Sequence, residues 1–135
     1  MAMSELLVTE RSYNEDLQII LKEFLKPIRE HGLLDEETIR DLFGNVEVIQ
    51  AFHIQLLASL ETSDADVGTA FVKLADFLKL YTVYAAVVNN QSAIINRERL
   101  ANPKFAEFLH AIKKNPALRS LDMESFLIKP VQRLC

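Results

Sequence analysis

Residues 5–28 read ELLVTERSYNEDLQIILKEFLKPI, and this stretch decides the class of fold. Its apolar residues recur at steps of three, four or seven, the spacing that places side chains on one face of an α-helix. The face consists of Leu6, Tyr13, Leu17, Ile20, Phe24 and Ile28. The pattern predicts one long amphipathic helix. We expect Ser4 to cap it, Gly32 to end it, and Pro27 to kink it because proline lacks a backbone N–H.

The next stretch keeps the same helical period. Asp35 is the expected cap of a helix from about Glu36 to Leu60, because an Asp side chain can accept from the free N–H groups of a first turn. Gly44 and Asn45 predict a bend within this stretch. The polar residues 61–66 then form a linker before the following helix.

A third long helix is predicted from about Val67 to Arg97, with a break near Tyr81 and Thr82. Its expected buried side consists of Phe71, Leu74, Phe77, Leu78, Tyr81, Tyr84, Val88 and Ile95. Asn102 followed by Pro103 predicts another helix start, which Pro116 should close. Asp122 is the expected cap of a last helix.

The chain shows helical signals throughout and no signal for paired strands. It has no alternating apolar run, no Asn-Gly or Asp-Gly hairpin turn and no internal repeat. Its length of 135 residues suits one domain. We therefore predict an all-α domain over residues 1–135, built as an elongated bundle of long antiparallel helices.

Composition excludes several classes of function. The chain has 3 Gly and no Gly-rich phosphate loop, and its 1 Cys is the final residue. The histidines His31, His53 and His110 share no ligand spacing with one another or with carboxylates. We therefore expect no metal site, no cofactor and no covalent catalytic chemistry. Apolar runs such as Tyr84 to Val88 are far shorter than the roughly 20 residues that a membrane-spanning helix needs.

Charge is distributed unevenly but does not indicate a nucleic-acid-binding protein. Residues 1–96 carry 7 basic and 15 acidic side chains, whereas residues 97–135 carry 8 and 4. The basic residues form no clustered run interleaved with aromatic residues. Solvated helix faces explain the pattern, and the acidic and basic segments could also complement each other across one bundle.

Two segments carry more information than their periodicity. Residues 5–17, the first signature segment, read ELLVTERSYNEDL and resemble the first signature region of Dbl-homology domains, roughly E-L-x-x-T-E-x-x-Y-V-x-x-L. Residues 126–135, the third signature segment, read FLIKPVQRLC and resemble the opening of that family's third region. Packing alone does not demand Lys-Pro and Gln-Arg inside a helix. The chain is thus similar to a Dbl-homology domain over its whole length, and it stops inside the third region.

The resemblance implies a guanine-nucleotide exchange factor for a Rho-family GTPase. In such proteins the first and third regions form one surface that grips both switch segments, displaces switch I and expels Mg²⁺ from the phosphate site. By position, Glu5 matches the family's acidic contact to switch I. Ser125, Lys129, Gln132 and Arg133 lie on or near the corresponding surface of the third region.

Each of these residues has a simpler alternative role. Glu5 could be an acid that stabilises the first turn, and Lys129 and Arg133 could be a solvated stripe. Tyr13, Leu17, Leu127 and Val131 are expected in the core. Asn14 departs from the usual Val of the family, at a position that we expect on a solvated face.

The alternative function is a helical interaction module without exchange activity. Because helices that complete the family's domain are missing, apolar faces should lack a partner, and we expect the fragment to self-associate as a homo-oligomer. The expected location is the cytoplasm, with membrane contact only indirectly through neighbouring domains such as a pleckstrin-homology domain.

Overall fold

The computed structural model describes the backbone of residues 3–61 and 67–134 and the side chains of residues 5–61 and 75–133. Within those ranges the chain contains helices and turns but no strand. The predicted all-α class is confirmed. The predicted linker lies largely outside the described residues, as do the side chains of Phe71 and Leu74.

The first helical stretch has three parts. Helix α1 spans Met3–Ile19, a π-helical segment spans Ile20–Leu25, and α2 spans Lys26–Glu30. The N–H of Lys26 donates to the carbonyl of Leu21, five residues back. A π-helical turn thus ends just before α2, and Pro27 occupies the first turn of α2. The kink expected at Pro27 stays a prediction.

Both predicted ends of this stretch can be compared with the structure. Ser4 already lies inside α1, and its side chain is outside the described residues. Gly32 has a positive φ of 59°, and the N–H groups of Gly32 and Leu33 donate to the carbonyls of Arg29 and Ile28. This arrangement is a Schellman motif, so Gly32 ends the stretch as predicted.

The second stretch divides at the predicted bend. Helix α3 spans Glu36–Phe43 and α4 spans Val46–Glu61. The carboxylate of Asp35 accepts from the N–H of Thr38 at 2.7 Å, which confirms the predicted cap. Gly44 has a φ of 56°, a conformation in which a side chain would be strained. A turn at Gly44 and Asn45 therefore separates α3 from α4, at the position of the predicted bend.

Helix α5 spans Val67–Ala101 without interruption. The predicted break near Tyr81 and Thr82 is wrong, because the helical backbone continues through both residues. At 1.5 Å per residue the helix is about 50 Å long. Leu78, expected in the core, is 49% exposed.

The C-terminal part consists of short helices. Helix α6 spans Pro103–Ile112 and begins at the Asn102 cap; a 3₁₀ turn spans Pro116–Leu118. Helix α7 spans Met123–Leu127 and begins at Asp122, as predicted, and α8 spans Lys129–Leu134. The last helix is thus divided at Ile128, where the N–H of Val131 donates to the carbonyl of Ile128 rather than to that of Leu127.

Helix α5 is the element around which the others pack. It contacts α3, α4, α6, α7 and α8, while α1 contacts α4, α7 and α8. The predicted core residues Tyr13, Leu17 and Leu127 are buried, and Val131 packs against the core. None of the described helices is long and apolar enough to cross a membrane.

Candidate functional site

The two signature segments lie side by side. Arg133 on α8 lies 2.9 Å from a carboxylate oxygen of Glu10 on α1, and Lys129 lies 3.5 Å from Asp16. From the first pair to the second, the residue number rises along α1, from 10 to 16, and falls along α8, from 133 to 129. The two helices are therefore antiparallel, and two ion pairs join segments that are more than 100 positions apart in the chain.

Glu10 is the buried centre of the junction between α1 and α8. Its side chain is 1% exposed, and one carboxylate oxygen pairs with Arg133 while the other contacts Nδ1 of His53 on α4. Burial raises the pKa of Glu10, but the hydrogen bonds and charges of His53 and Arg133 outweigh it and hold the pKa below its usual value. Glu10 is therefore a carboxylate, and Nδ1–H of His53 donates to it.

His53 occupies an aromatic enclosure. Its ring lies 4.6 Å from the rings of Tyr13 and Phe77, centroid to centroid, and 5.4 Å from that of Phe52. The side chain is 2% exposed, and Nε2 has no hydrogen-bond partner among the described residues. The hydroxyls of Tyr13 and Tyr81 lie 2.6 Å apart beside it. Burial raises the pKa of Tyr13, and the neighbouring Tyr81 raises it further.

Asp16 holds the other end of the junction. Its carboxylate accepts from Arg119 at 3.0 Å and pairs with Lys129. The ammonium of Lys129 also lies 5.6 Å from the centre of the Phe126 ring, and its side chain is only 22% exposed. Lys129 therefore points along the bundle rather than out into solvent.

Ser125 acts within its own helix. Its hydroxyl donates to the carboxylate of Asp122 at 2.7 Å, and its backbone N–H donates to the same oxygen at 2.9 Å. These hydrogen bonds lower the pKa of Asp122, with the side-chain bond from Ser125 as the leading cause. Ser125 is thus part of the N-terminal cap of α7.

Glu5 and Gln132 differ from the other three predicted residues. Both are exposed, and neither side chain forms a hydrogen bond or ion pair in the described part of the chain. Glu5 lies about 7.5 Å along α1 from Glu10, at 1.5 Å per residue. Val8, three residues after Glu5 and on the same side of the helix, is 62% exposed. Glu5 and Gln132 are therefore the two predicted residues whose side chains are exposed and unpaired in the described part of the chain.

Sequence reasoning missed the centre of the junction. Glu10 belongs to the Thr-Glu pair of the first signature segment, so the signal for it was present in the quoted motif. His53 follows Val46 and Ile49 on the buried face of α4, so its burial could have been predicted from spacing. The expectation of a solvated face for Asn14 is wrong: its side chain is half-buried and donates to the carbonyl of Glu10 at 2.9 Å.

Among the described residues, no group of three or more His, Cys, Asp or Glu side chains is arranged to hold a metal ion. The buried histidine, His53, instead donates to the carboxylate of Glu10 and packs against aromatic rings.

An all-helical bundle whose first and last described helices combine two distant signature segments into one face defines the Dbl-homology class of domain. The structural comparison agrees. The linker-DH/PH domains of p115-RhoGEF superpose with a TM-score of 0.86 at 20% identity, over 98% of this chain and 44% of that one. The activated truncation of Vav1 gives a TM-score of 0.85 at 24% identity, over 98% of this chain and 35% of that one.

The sequence comparison then identifies the family: the RhoGEF domain model matches residues 2–135, and the chain belongs to this family. Myosin-M heavy chain of Dictyostelium discoideum is 37% identical over 98% of this chain and 8% of its own length. Pleckstrin homology domain-containing family G member 2 of Homo sapiens is 36% identical over 96% of this chain and 10% of its own length. The chain thus spans a small part of the relatives that it matches.

Proposed function

We propose that this chain is the exchange-factor domain of a larger protein, and that it binds a Rho-family GTPase and promotes release of GDP. The observation that carries the proposal is the joined face of α1 and α8, which is held by the Glu10–Arg133 and Asp16–Lys129 pairs. Relatives support it. A 32% identical protein of Dictyostelium discoideum is a guanine exchange factor for Rac, and the structurally similar DH/PH domains of PDZ-RhoGEF form a complex with RhoA.

In this proposal the exchange reaction needs no acid, base or nucleophile from the chain. A domain that prefers the nucleotide-free GTPase weakens nucleotide affinity by the same factor, because binding free energies are linked. Glu5 and Gln132 supply the exposed polar contacts, while Lys129, Arg133 and Ser125 hold the surface in shape through their bonds inside the bundle. We place this activity in the cytoplasm, with membranes reached only through neighbouring domains.

Release of a fluorescent GDP analogue tests the proposal. Catalytic amounts of the 135-residue chain, and of a C-terminally extended chain, are added to several Rho-family GTPases loaded with the analogue. Faster release by the extended chain is expected from at least one GTPase. If neither chain accelerates release from any of them, the exchange proposal is wrong.

A second candidate function is a binding module that also associates with itself. Val83, Ala86, Asn90 and Ala93 form an exposed and largely apolar stripe along α5, and Val83 is 56% exposed. Such a stripe favours association because it leaves apolar area in water. Sedimentation of the chain at micromolar concentration should show a dimer that Val83→Glu weakens, whereas a monomer at all concentrations argues against this candidate.

A further inference from the structure

A buried row of polar groups connects α3, α5 and the point in the chain where α7 ends and α8 begins. The Nε2 amide of Gln91 donates to the carbonyl of Leu42 at 3.1 Å and to the hydroxyl oxygen of Tyr84 at 3.0 Å. The hydroxyl of Tyr84 in turn donates to the carbonyl of Leu127. We call these four residues the polar relay.

Both carbonyls of the polar relay lie at helix ends. Leu42 is in the last turn of α3, and Leu127 is the last residue of α7. The last carbonyls of a helix have no donor within that helix, so they need one from elsewhere when they are buried. The division of the chain at Ile128 leaves the carbonyl of Leu127 available, and the side chains of Tyr84 and Gln91 on α5 supply the missing donors.

The polar relay is shielded from water. Tyr84 is fully buried and Gln91 is 5% exposed, and they are two helical turns apart on one face of α5. Burial raises the pKa of Tyr84 to about 12, although the hydrogen bond from Gln91 opposes this shift. The hydroxyl therefore keeps the proton that it donates to Leu127 under all physiological conditions.

We propose that Tyr84, oriented by Gln91, is a positioning residue that fixes the third signature segment, and with it Gln132, against the bundle. Leu127 belongs to that segment, which is held on its α1 side by ion pairs to Glu10 and Asp16 and on its α5 side by this hydrogen bond. The role in exchange rests on the proposed function. The role in holding α7 and α8 does not.

Amide hydrogen exchange followed by mass spectrometry tests the holding role directly. In the Tyr84→Phe variant, exchange in residues 127–134 should be at least ten times faster than in the unmodified chain. Thr82→Val is the control, because it also removes one hydroxyl from α5, but that hydroxyl donates to Leu78 within the helix and not to α7. Unchanged protection in Tyr84→Phe, or an equal change in both variants, would overturn the proposal.

A second variant guards against a failure of Tyr84→Phe to fold. Gln91→Met keeps the tyrosine and the volume of the side chain but removes the amide that orients the hydroxyl. Exchange in residues 127–134 should rise about threefold in this variant, and no local rise would contradict the polar relay.

Nucleotide release separates this inference from the proposed function. If the unmodified chain is active, Tyr84→Phe should lower kcat for GDP release at least fivefold and leave KM within twofold, while Thr82→Val leaves both constants within twofold. Equal activity of the two variants would exclude a role of the polar relay in exchange. If the unmodified chain is inactive with every GTPase, the proposed function fails, and the hydrogen-exchange result alone decides whether Tyr84 holds the segment.

Discussion

Arg133 and Glu10 form a 2.9 Å ion pair between residues 123 positions apart, and only 1% of the Glu10 side chain is exposed. The pair is the closest polar connection between the two signature segments in the described chain. A buried carboxylate is tolerated only when its charge is matched, so Arg133 and His53 together keep Glu10 inside the bundle.

The first prediction concerns the stability of this pair. Arg133→Met should lower the free energy of unfolding by about 3 kcal/mol, because it leaves a buried carboxylate without its cation. Urea unfolding followed by circular dichroism measures the change. Lys26→Met is the control: Lys26 and Glu30 form an exposed pair, so its loss should cost less than about 0.5 kcal/mol. Equal losses in the two variants would show that burial of Glu10 does not matter.

The second prediction concerns the free energy of unfolding at acidic pH. The folded pKa of Glu10 lies below its unfolded value, so its contribution is fully present above the unfolded pKa, about 4.5, and is lost as pH falls through the folded pKa. Glu10→Gln should therefore show a smaller loss of unfolding free energy below pH 4.5 than the unmodified chain. Asp35 and Asp122, whose pKa values are also lowered, keep part of the acid dependence in the variant. Identical pH profiles would contradict the prediction.

The third prediction concerns Gly44. Gly44 has a positive φ, and a Cβ added there would lie 2.9 Å from Cγ2 of Val87. Gly32 has a similar φ but no atom within 4 Å of an added Cβ. Gly32→Ala should cost about 1 kcal/mol from backbone strain alone, and Gly44→Ala should cost at least 1 kcal/mol more, since Val is stiff at χ1. Thermal unfolding of the two variants measures the difference, and equal costs would mean that α5 moves aside freely.

The fourth prediction concerns the exposed residues of the candidate site. Glu5→Ala and Gln132→Ala should each lower kcat/KM for GDP release about tenfold, which corresponds to roughly 1.4 kcal/mol of lost binding. Their free energies of unfolding should change by less than about 0.5 kcal/mol, because both side chains are exposed. Glu107→Ala, an exposed acid on α6, is the control and should release GDP as fast as the unmodified chain. Normal exchange by both variants would remove these residues from the site.

The sequence predicted the ends of helices well where a single residue is enough to begin or end a helix. Asp35, Asn102 and Asp122 cap helices as expected, because a short oxygen acceptor satisfies a free N–H whatever the tertiary context. Gly32 ends its helix for an equally local reason. The π-helical segment before Pro27 was not predicted, since apolar steps of three and four fit both kinds of turn.

Tertiary contacts explain what the sequence could not indicate. A break in α5 was predicted near Tyr81 and Thr82, yet α5 is continuous there and packs against several helices. The third signature segment predicted Lys129 and Arg133 near the site, but not that both would pair with acids of α1. Which residues pair depends on how α1 packs against α8, and the spacing of residues within one segment does not predict that packing. The roles of the five predicted residues in binding a GTPase stay predictions.

The π-helical segment at Ile20–Leu25 accommodates one more residue than an α-helical turn would at the same place. Each residue advances an α-helix by about 100° around its axis. The segment therefore sets how far the part of α1 that carries Glu5 and Glu10 is rotated about the helix axis relative to Phe24 and Ile28, which lie in the core. If the same residues formed ordinary α-helical turns, Glu10 would be rotated by about 100° and so away from Arg133, while every side chain of the candidate site would stay chemically unchanged.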